Sequence, residues 1–263
     1  MKKIYLAALT LAMTACVSND DLNPVDNYGY IDVNVSNDPV MVTRAEQTVS
    51  DLSGWTITAD GTEDYTLNLN DNKVLAGTYS ITAKNATDVE TANAADDGWG
   101  KAFYKSESQN VTVAAGNTTT VNINCGSAKN SKLTLVNNLN DEVFTNVKLY
   151  AKKGDRYLEM DGTKSVFYSV DTNVNYYITY SYNTKDESGN TKTENKTIKN
   201  NGSDFSINIA SAATDYQISL SSTDNGTITV TIKYNDDFTP DNSTTLKFDA
   251  ATGEKVETSS QGE

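Results

Sequence analysis

Histidine is absent from this chain of 263 residues. That absence removes Ser-His and Cys-His nucleophilic catalysis, His-ligated zinc and a histidine general base together. Cysteine is scarce, with only Cys16 and Cys125 present. If Cys16 is acylated, as argued below, no disulfide can form within the chain. Cys125 ends "TVNINC" and shares a strand face with Val121 and Ile123. It reads as a small buried hydrophobe rather than a nucleophile. Positive charge is short: two arginines and nineteen lysines face 35 acids, for a net charge of −14. So acidic a surface argues against nucleic acid or an anionic membrane face as partner and favours solubility. No stretch carries a sustained 3.6-residue apolar stripe. The best helix candidate, "ATDVETANAADDG" (residues 86–98), is expected to be a loop with at most a turn.

What is present begins at the N-terminus. Lys2 and Lys3 precede the short apolar run "IYLAALTLAM", and the small residues Thr14 and Ala15 stand before Cys16. Residues 1–15 read as an export signal, too short to span a membrane as a helix. A cysteine at the cleavage point makes it a lipoprotein signal, so Cys16 is expected to carry palmitate-type acyl chains. Buried at roughly 0.8 kcal/mol per CH₂, three such chains anchor firmly. An ordinary secretory signal with an incidental cysteine is the alternative. Residues 16–27, acidic and turn-rich, are expected to form a flexible tether.

Beyond them the dominant signal is period-two alternation. "YIDVNVS" places Ile31, Val33 and Val35 on one face, "TYSITA" places Tyr79, Ile81 and Ala83, and "TITVTIKY" places Ile228, Val230 and Ile232. Outward positions are Thr, Ser, Asn, Asp and Lys, the mark of antiparallel strands with one wet face. The pattern runs twice. "GWTITADGTEDYTLNL" corresponds loosely to "NVKLYAKKGDRYLEM", "LAGTYSITAKN" to "NVNYYITYSYN", and "NTTTVNIN" to "NGTITVTIK". The fold expected is all-β: two tandem antiparallel β-sandwich domains after the lipoprotein signal, at 28–125 and 131–235. Residues 126–130, "GSAKN", form the linker. Residues 236–263 are a C-terminal tail with a small hairpin about Thr252–Gly253.

Candidate chemistry is thin. The Asp/Asn-rich loops "ADGTED", "NDN", "AADDG" and "YNDDFTPDN" supply oxygen atoms that suit calcium, but none has the spacing of a calcium loop, and turn chemistry accounts for them. No metal, cofactor or catalytic residue is assigned, and the chain is expected not to be an enzyme. In "NVNYYITYSYN", Tyr176, Ile178, Tyr180 and Tyr182 share a core-facing side while Tyr177 points away. Trp99, in the Gly-flanked "DDGWGKAFY", either stands exposed or plugs the open end of the first sandwich. Trp99 and Tyr177 are the candidate ligand-facing aromatics.

The order "GYIDVNVS", "VMVTRAE", "DLSGWTITADG", "LAGTYSITA", "FYKSESQNVTVAAGNTTTVNINC" resembles a large family of Bacteroidota surface lipoproteins. That family carries a domain of unknown function and is related to the fimbrillin-like proteins. The resemblance covers roughly residues 1–130 well and the rest loosely. It implies a transthyretin-like sandwich and a lipid-anchored position on the outer membrane at the cell surface. The fimbrillin branch further implies a cut after an arginine, here between Arg44 and Ala45. Release of residues 16–44 would remove the Ile31/Val33/Val35 strand and leave a groove for a strand from another subunit. The candidate donor is "TTLKFDAATGEKVE". Otherwise Arg44 is a solvated loop arginine. Two functions follow as expectations: adhesion or a fimbrial or accessory subunit role, or alternatively surface glycan binding.

Overall fold

The computed structural model describes residues 27–37, 47–48, 53–223, 226–234 and 244–256. The expected signal, Cys16, Arg44 and Ala45 lie outside the described residues.

In the first half the alternating segments become β1 (Tyr28–Asn37), β2 (Gln47–Thr48), β3 (Thr56–Asp60), β4 (Tyr65–Leu67), β5 (Asn72–Leu75) and β6 (Gly77–Lys84). A short helix α1 (Val89–Ala94), β7 (Gln109–Val113) and β8 (Thr118–Asn124) follow. β1 is the centre of one sheet. It pairs with β8 along one edge and with β5 and β2 along the other. The facing sheet runs β4-β3-β6-β7. Ile31, Val33 and Val35 of β1 are 0–2% exposed and meet Ile57, Tyr79, Ile81 and Val113 between the sheets. Burial of side chains this size is worth about 1.5–3 kcal/mol each, and it fixes which face of β1 points inward.

The second half contains β9 (Ser131–Asn138), β10 (Phe144–Lys153), β11 (Arg156–Met160), β12 (Val166–Tyr168) and β13 (Thr172–Lys185). Then come β14 (Thr191–Ile198), β15 (Phe205–Ile209), β16 (Asp215–Ser222), β17 (Thr227–Tyr234) and β18 (Thr244–Asp249). One sheet runs β12-β9-β16-β17-β18. The other runs β11-β10-β13, with β14 and β15 end to end along the far edge of β13. A second core fills the space between them, and it includes the fully buried Tyr176, Tyr180 and Tyr216. Their hydroxyls need partners at such depth. Tyr180 donates to the carbonyl of Ala250 at 2.7 Å, and the Tyr216 hydroxyl accepts from the N–H of Ser211 at 2.9 Å.

The two halves share a strand plan. β1 runs parallel to β8, and β9 runs parallel to β16. All other ladders are antiparallel. The β3-β4-β6-β7 set matches β10-β11-β13-β15, and β5 matches β12. The counterpart of β8 is therefore β16, not β17 as the likeness of "NTTTVNIN" to "NGTITVTIK" suggests. β17 and β18 are additions on the outer edge of β16.

Two further expectations are corrected. Residues 244–249, assigned to the tail, form a strand of the second core, with Phe248 and Ala250 both fully buried. Beyond them the chain turns back, and Asp249 N–H donates to the carbonyl of Glu254 at 2.9 Å. The 86–98 segment is not only a loop. Its carboxylate cap, Asp88, accepts from Thr91 N–H at 2.7 Å and starts one helical turn and a half, which a weak apolar pattern had hidden. Among the described residues no helix is long and apolar enough to cross a membrane.

Candidate functional site

The residues that join the halves are held rather than hinged. Asn130 is fully buried. Its carboxamide accepts from Phe103 N–H at 2.8 Å and donates to Asn93 Oδ1 at 2.8 Å and to the carbonyl of Lys101 at 2.9 Å. Asn93, on α1, donates in turn to Ser169 Oγ at 2.8 Å. A chain of amides thus runs from the first half, through the linker, to the end of β12. Gly100 makes the close approach there. An added Cβ would stand 3.0 Å from both the carbonyl of Asn93 and the side chain of Phe167, and its φ of +80° excludes most residues anyway.

Over this joint lies an open cavity of about 770 Å³. α1 and the turn after it supply Glu90, Asn93, Asp97 and Gly98. The facing ends of β10 and β11 with their turn supply Lys152, Lys153, Gly154 and Arg156, and β12, β13 and the connection between them supply Tyr168, Ser169, Thr172, Asn173 and Asn175. Asn173 and Asn175 are the outward residues of β13, alternating with buried Val174 and Tyr176. They therefore present carboxamides to the cavity with their backbone fixed by the sheet.

Three cations, Lys152, Lys153 and Arg156, line the cavity. Arg156 donates to Asp97 Oδ1 at 3.0 Å, to Oδ2 at 3.3 Å and to the Asp97 carbonyl. Asp97 itself sits at a left-handed φ of 53°. Lys153 donates to the carbonyl of Phe167 and lies 4.3 Å from the ring centre of Tyr168. Burial there pushes its ammonium pKa down to about 8. Burial also pushes the Tyr168 phenol well above its ordinary range, and its hydroxyl donates to the carbonyl of Lys152 at 3.1 Å. The arrangement suits hydrogen bonding to a hydroxyl-rich ligand, with cations in the lining. Among the described residues no three Cys, Asp or Glu side chains gather as a metal set.

Neither candidate aromatic lines this cavity. Trp99 is half-buried, but against the second core rather than the first, so it does not plug sandwich one. Its carbonyl accepts from Phe167 N–H at 2.8 Å, which extends the edge of β12, and Lys164 lies 5.3 Å from its ring centre. Tyr177 does point outward, yet its ring is engaged. It stacks on Tyr150 at 4.8 Å and 9°, tilts against Tyr157 at 5.2 Å, and has Lys199 at 4.9 Å. Around it Tyr150 donates to Glu159 at 2.7 Å and Tyr157 donates to Asp204. Hydrogen bonds from Lys148 and Tyr150 hold the Glu159 carboxyl below its usual range.

The cavity residues carry no motif in the sequence. Two signals pointed to them. "KKGDR" (152–156) packs three cations into a turn of an acidic chain, and "TNVN" (172–175) repeats a carboxamide on one strand face.

The family model described as a domain of unknown function, DUF4493, matches residues 29–255 and so spans both halves. No curated protein matches the chain. Among solved structures, a proposed polysaccharide binding protein (DUF1812) of Bacteroides thetaiotaomicron is 11% identical. The match covers 76% of this chain and 95% of that one, at a TM-score of 0.33. A fimbrial assembly protein of Parabacteroides distasonis is 10% identical over 76% of this chain and 93% of that one, at 0.31. A leucine-rich repeat protein of Bacteroides thetaiotaomicron is 16% identical over 75% of this chain, which spans 27% of that one, at 0.21. Superpositions this loose carry no argument about ligand or assembly.

Proposed function

Because the chain belongs to the DUF4493 family, whose function is unknown, we propose a function from its own geometry. It is a non-enzymatic surface lipoprotein, anchored in the outer membrane through acylated Cys16, that adheres by holding a polar ligand of the glycan class in the junction cavity. The observation that carries this reading is the lining: Ser169, Thr172, Asn173 and Asn175 offer neutral donors and acceptors on a fixed backbone. Such groups match sugar hydroxyls. A binding role rather than catalysis is supported by the cavity's carboxylates. Glu90 is exposed, and Asp97 is 86% exposed and paired with Arg156. A general acid of the glycosidase kind needs a sheltered carboxyl.

Calorimetry of the chain against soluble polysaccharides tests the reading. Asn173→Ala with Asn175→Ala is expected to weaken binding about tenfold or more, at about 1 kcal/mol per hydrogen bond. Undiminished affinity in that variant, or binding to no glycan, overturns it. Hydrolysis of a bound glycan that disappears with one Asp or Glu change would overturn the non-enzymatic part.

A second reading is a fimbrial or accessory subunit activated by a cut between Arg44 and Ala45. One observation favours it. β1 lies between β8 and β5 and contributes three buried apolar side chains, so its removal opens a groove with two unpaired edges. The proposed donor segment counts against it, since β18 is already paired with β17. N-terminal sequencing of surface-shed protein separates the readings. A terminus at Ala45, with SDS-resistant ladders lost in Arg44→Ala, supports the subunit, and acylated Cys16 on every molecule rejects it.

A further inference from the structure

β8 is an edge strand without edge protection. In the second half its counterpart β16 has β17 along its outer edge, paired from Tyr216↔Tyr234 to Ser222↔Ile228. In the first half, among the described residues, no strand pairs there. β8 is nonetheless long and regular, in continuous register with β1 from Tyr30↔Thr118 to Ser36↔Asn124. Proteins shield such edges with lysine, proline or a bulge. β14 carries Lys192 and Lys196, and β18 carries Lys247. β8 carries none of these.

The main-chain direction is set by the ladder. Tyr30 N–H donates to the carbonyl of Asn117 at 2.8 Å, and Cys125 N–H to that of Ser36 at 2.8 Å. Odd-numbered residues of β8 therefore bond to β1, and the main-chain groups of Thr118, Thr120, Asn122 and Asn124 point outward. The side chains of those four residues are exposed on the wet face.

Electrostatics selects the partner. Residues 108–128 contain no charged side chain, although the chain as a whole has a net charge of −14. This stretch covers β7, its turn and β8, one whole side of the first sandwich. Two copies that meet along this stretch bring no like charges together within it, which removes the repulsion an acidic chain otherwise has for its own copies.

We propose that β8 is a homodimer interface, pairing antiparallel with β8 of a second copy about a two-fold axis at Val121. In this register Thr120 lies opposite Asn122 of the second copy, and Thr118 opposite Asn124. Each pair exchanges two main-chain hydrogen bonds. Every facing side-chain pair is neutral and polar or apolar, so the patch is self-complementary, as a closed two-fold contact requires. The sheet then continues from β5 and β1 of one copy through both β8 strands into the other. The proposal does not depend on what the junction cavity binds.

Sedimentation equilibrium of the full chain in detergent tests it. The unaltered chain is expected to show a monomer–dimer equilibrium. Thr120→Lys with Asn122→Lys sets like charges opposite each other twice and should raise the dissociation constant about tenfold. Thr120→Lys with Asn122→Glu sets opposite charges against each other twice and should retain the dimer. Thr118→Lys with Asn124→Lys repeats the test one rung out, should the first variant fold poorly by its melting curve. A monomer at every concentration, a dimer indifferent to the double lysine, or equal weakening in the Lys/Lys and Lys/Glu variants overturns the proposal.

Discussion

Replacing Asn130 with alanine removes three hydrogen bonds from the joint at once. Two of its partners are left stranded. Phe103 N–H belongs to a residue 6% exposed, and Asn93 Oδ1 to one 7% exposed. The third, the carbonyl of Lys101, belongs to an exposed residue and can take up water. An orphaned buried polar group costs about 1–3 kcal/mol, so two of them give a loss of about 3 kcal/mol. With a urea slope of about 3 kcal/mol/M, the unfolding midpoint falls by about 1 M. Asn130→Asp should do at least as much harm. It keeps an acceptor for Phe103 but turns a carboxylate toward two other oxygens. Urea unfolding followed by tyrosine fluorescence and circular dichroism measures both. A loss under about 1 kcal/mol in either variant would refute the claim that this carboxamide fastens the halves.

Other expectations follow from single side chains. The Lys153 ammonium has its pKa lowered from 10.5 to about 8. From pH 8 to 10.5 the unfolded chain therefore holds a proton that the folded chain has released, and the native state gains stability as pH rises through that window. Unfolding free energies at pH 7.5 and 10 should rise more in the parent than in Lys153→Met, and the opposite order would contradict the burial of this amine. The Cys125 thiol, 2% exposed and pushed up to about 11 by burial, should resist a disulfide reagent at pH 8 until urea unfolds the chain. Phe248→Ala removes a ring set edge-on to Phe205 at 5.6 Å and should cost about 3–5 kcal/mol. A dispensable tail would lose nothing.

Alternation made most of the strands legible. β1, β6, β13 and β17 each carry three or more inward apolar residues spaced by two, and burial follows that spacing except late in β13, where Ser181 is buried beside Tyr180 and Tyr182 is half-buried. Tyr177 was readable as outward for the same reason. Pairing was less legible, because period two says which face a residue takes and nothing about its neighbour. "NTTTVNIN" resembles "NGTITVTIK" only in alternating Thr and Asn with aliphatics, so the counterpart of β8 was misplaced by one strand. β18 escaped because its apolar content is just Leu246 and Phe248, flanked by polar residues. The position of Trp99 and the cavity itself depend on how two halves meet. Asn93, Asn130, Ser169 and Asn173 are brought together across 80 residues of chain by tertiary contacts that no local pattern encodes.

The central claim is that the junction cavity is where the protein binds. Hydrogen–deuterium exchange of the full chain with and without a bound soluble glycan tests this most directly. The account predicts slowed exchange in the β10–β11 turn at 152–156, in α1, and in residues 169–175, with the outer face around Tyr177 unchanged. Protection centred on Tyr150, Tyr157 and Tyr177, with none at the joint, would contradict it.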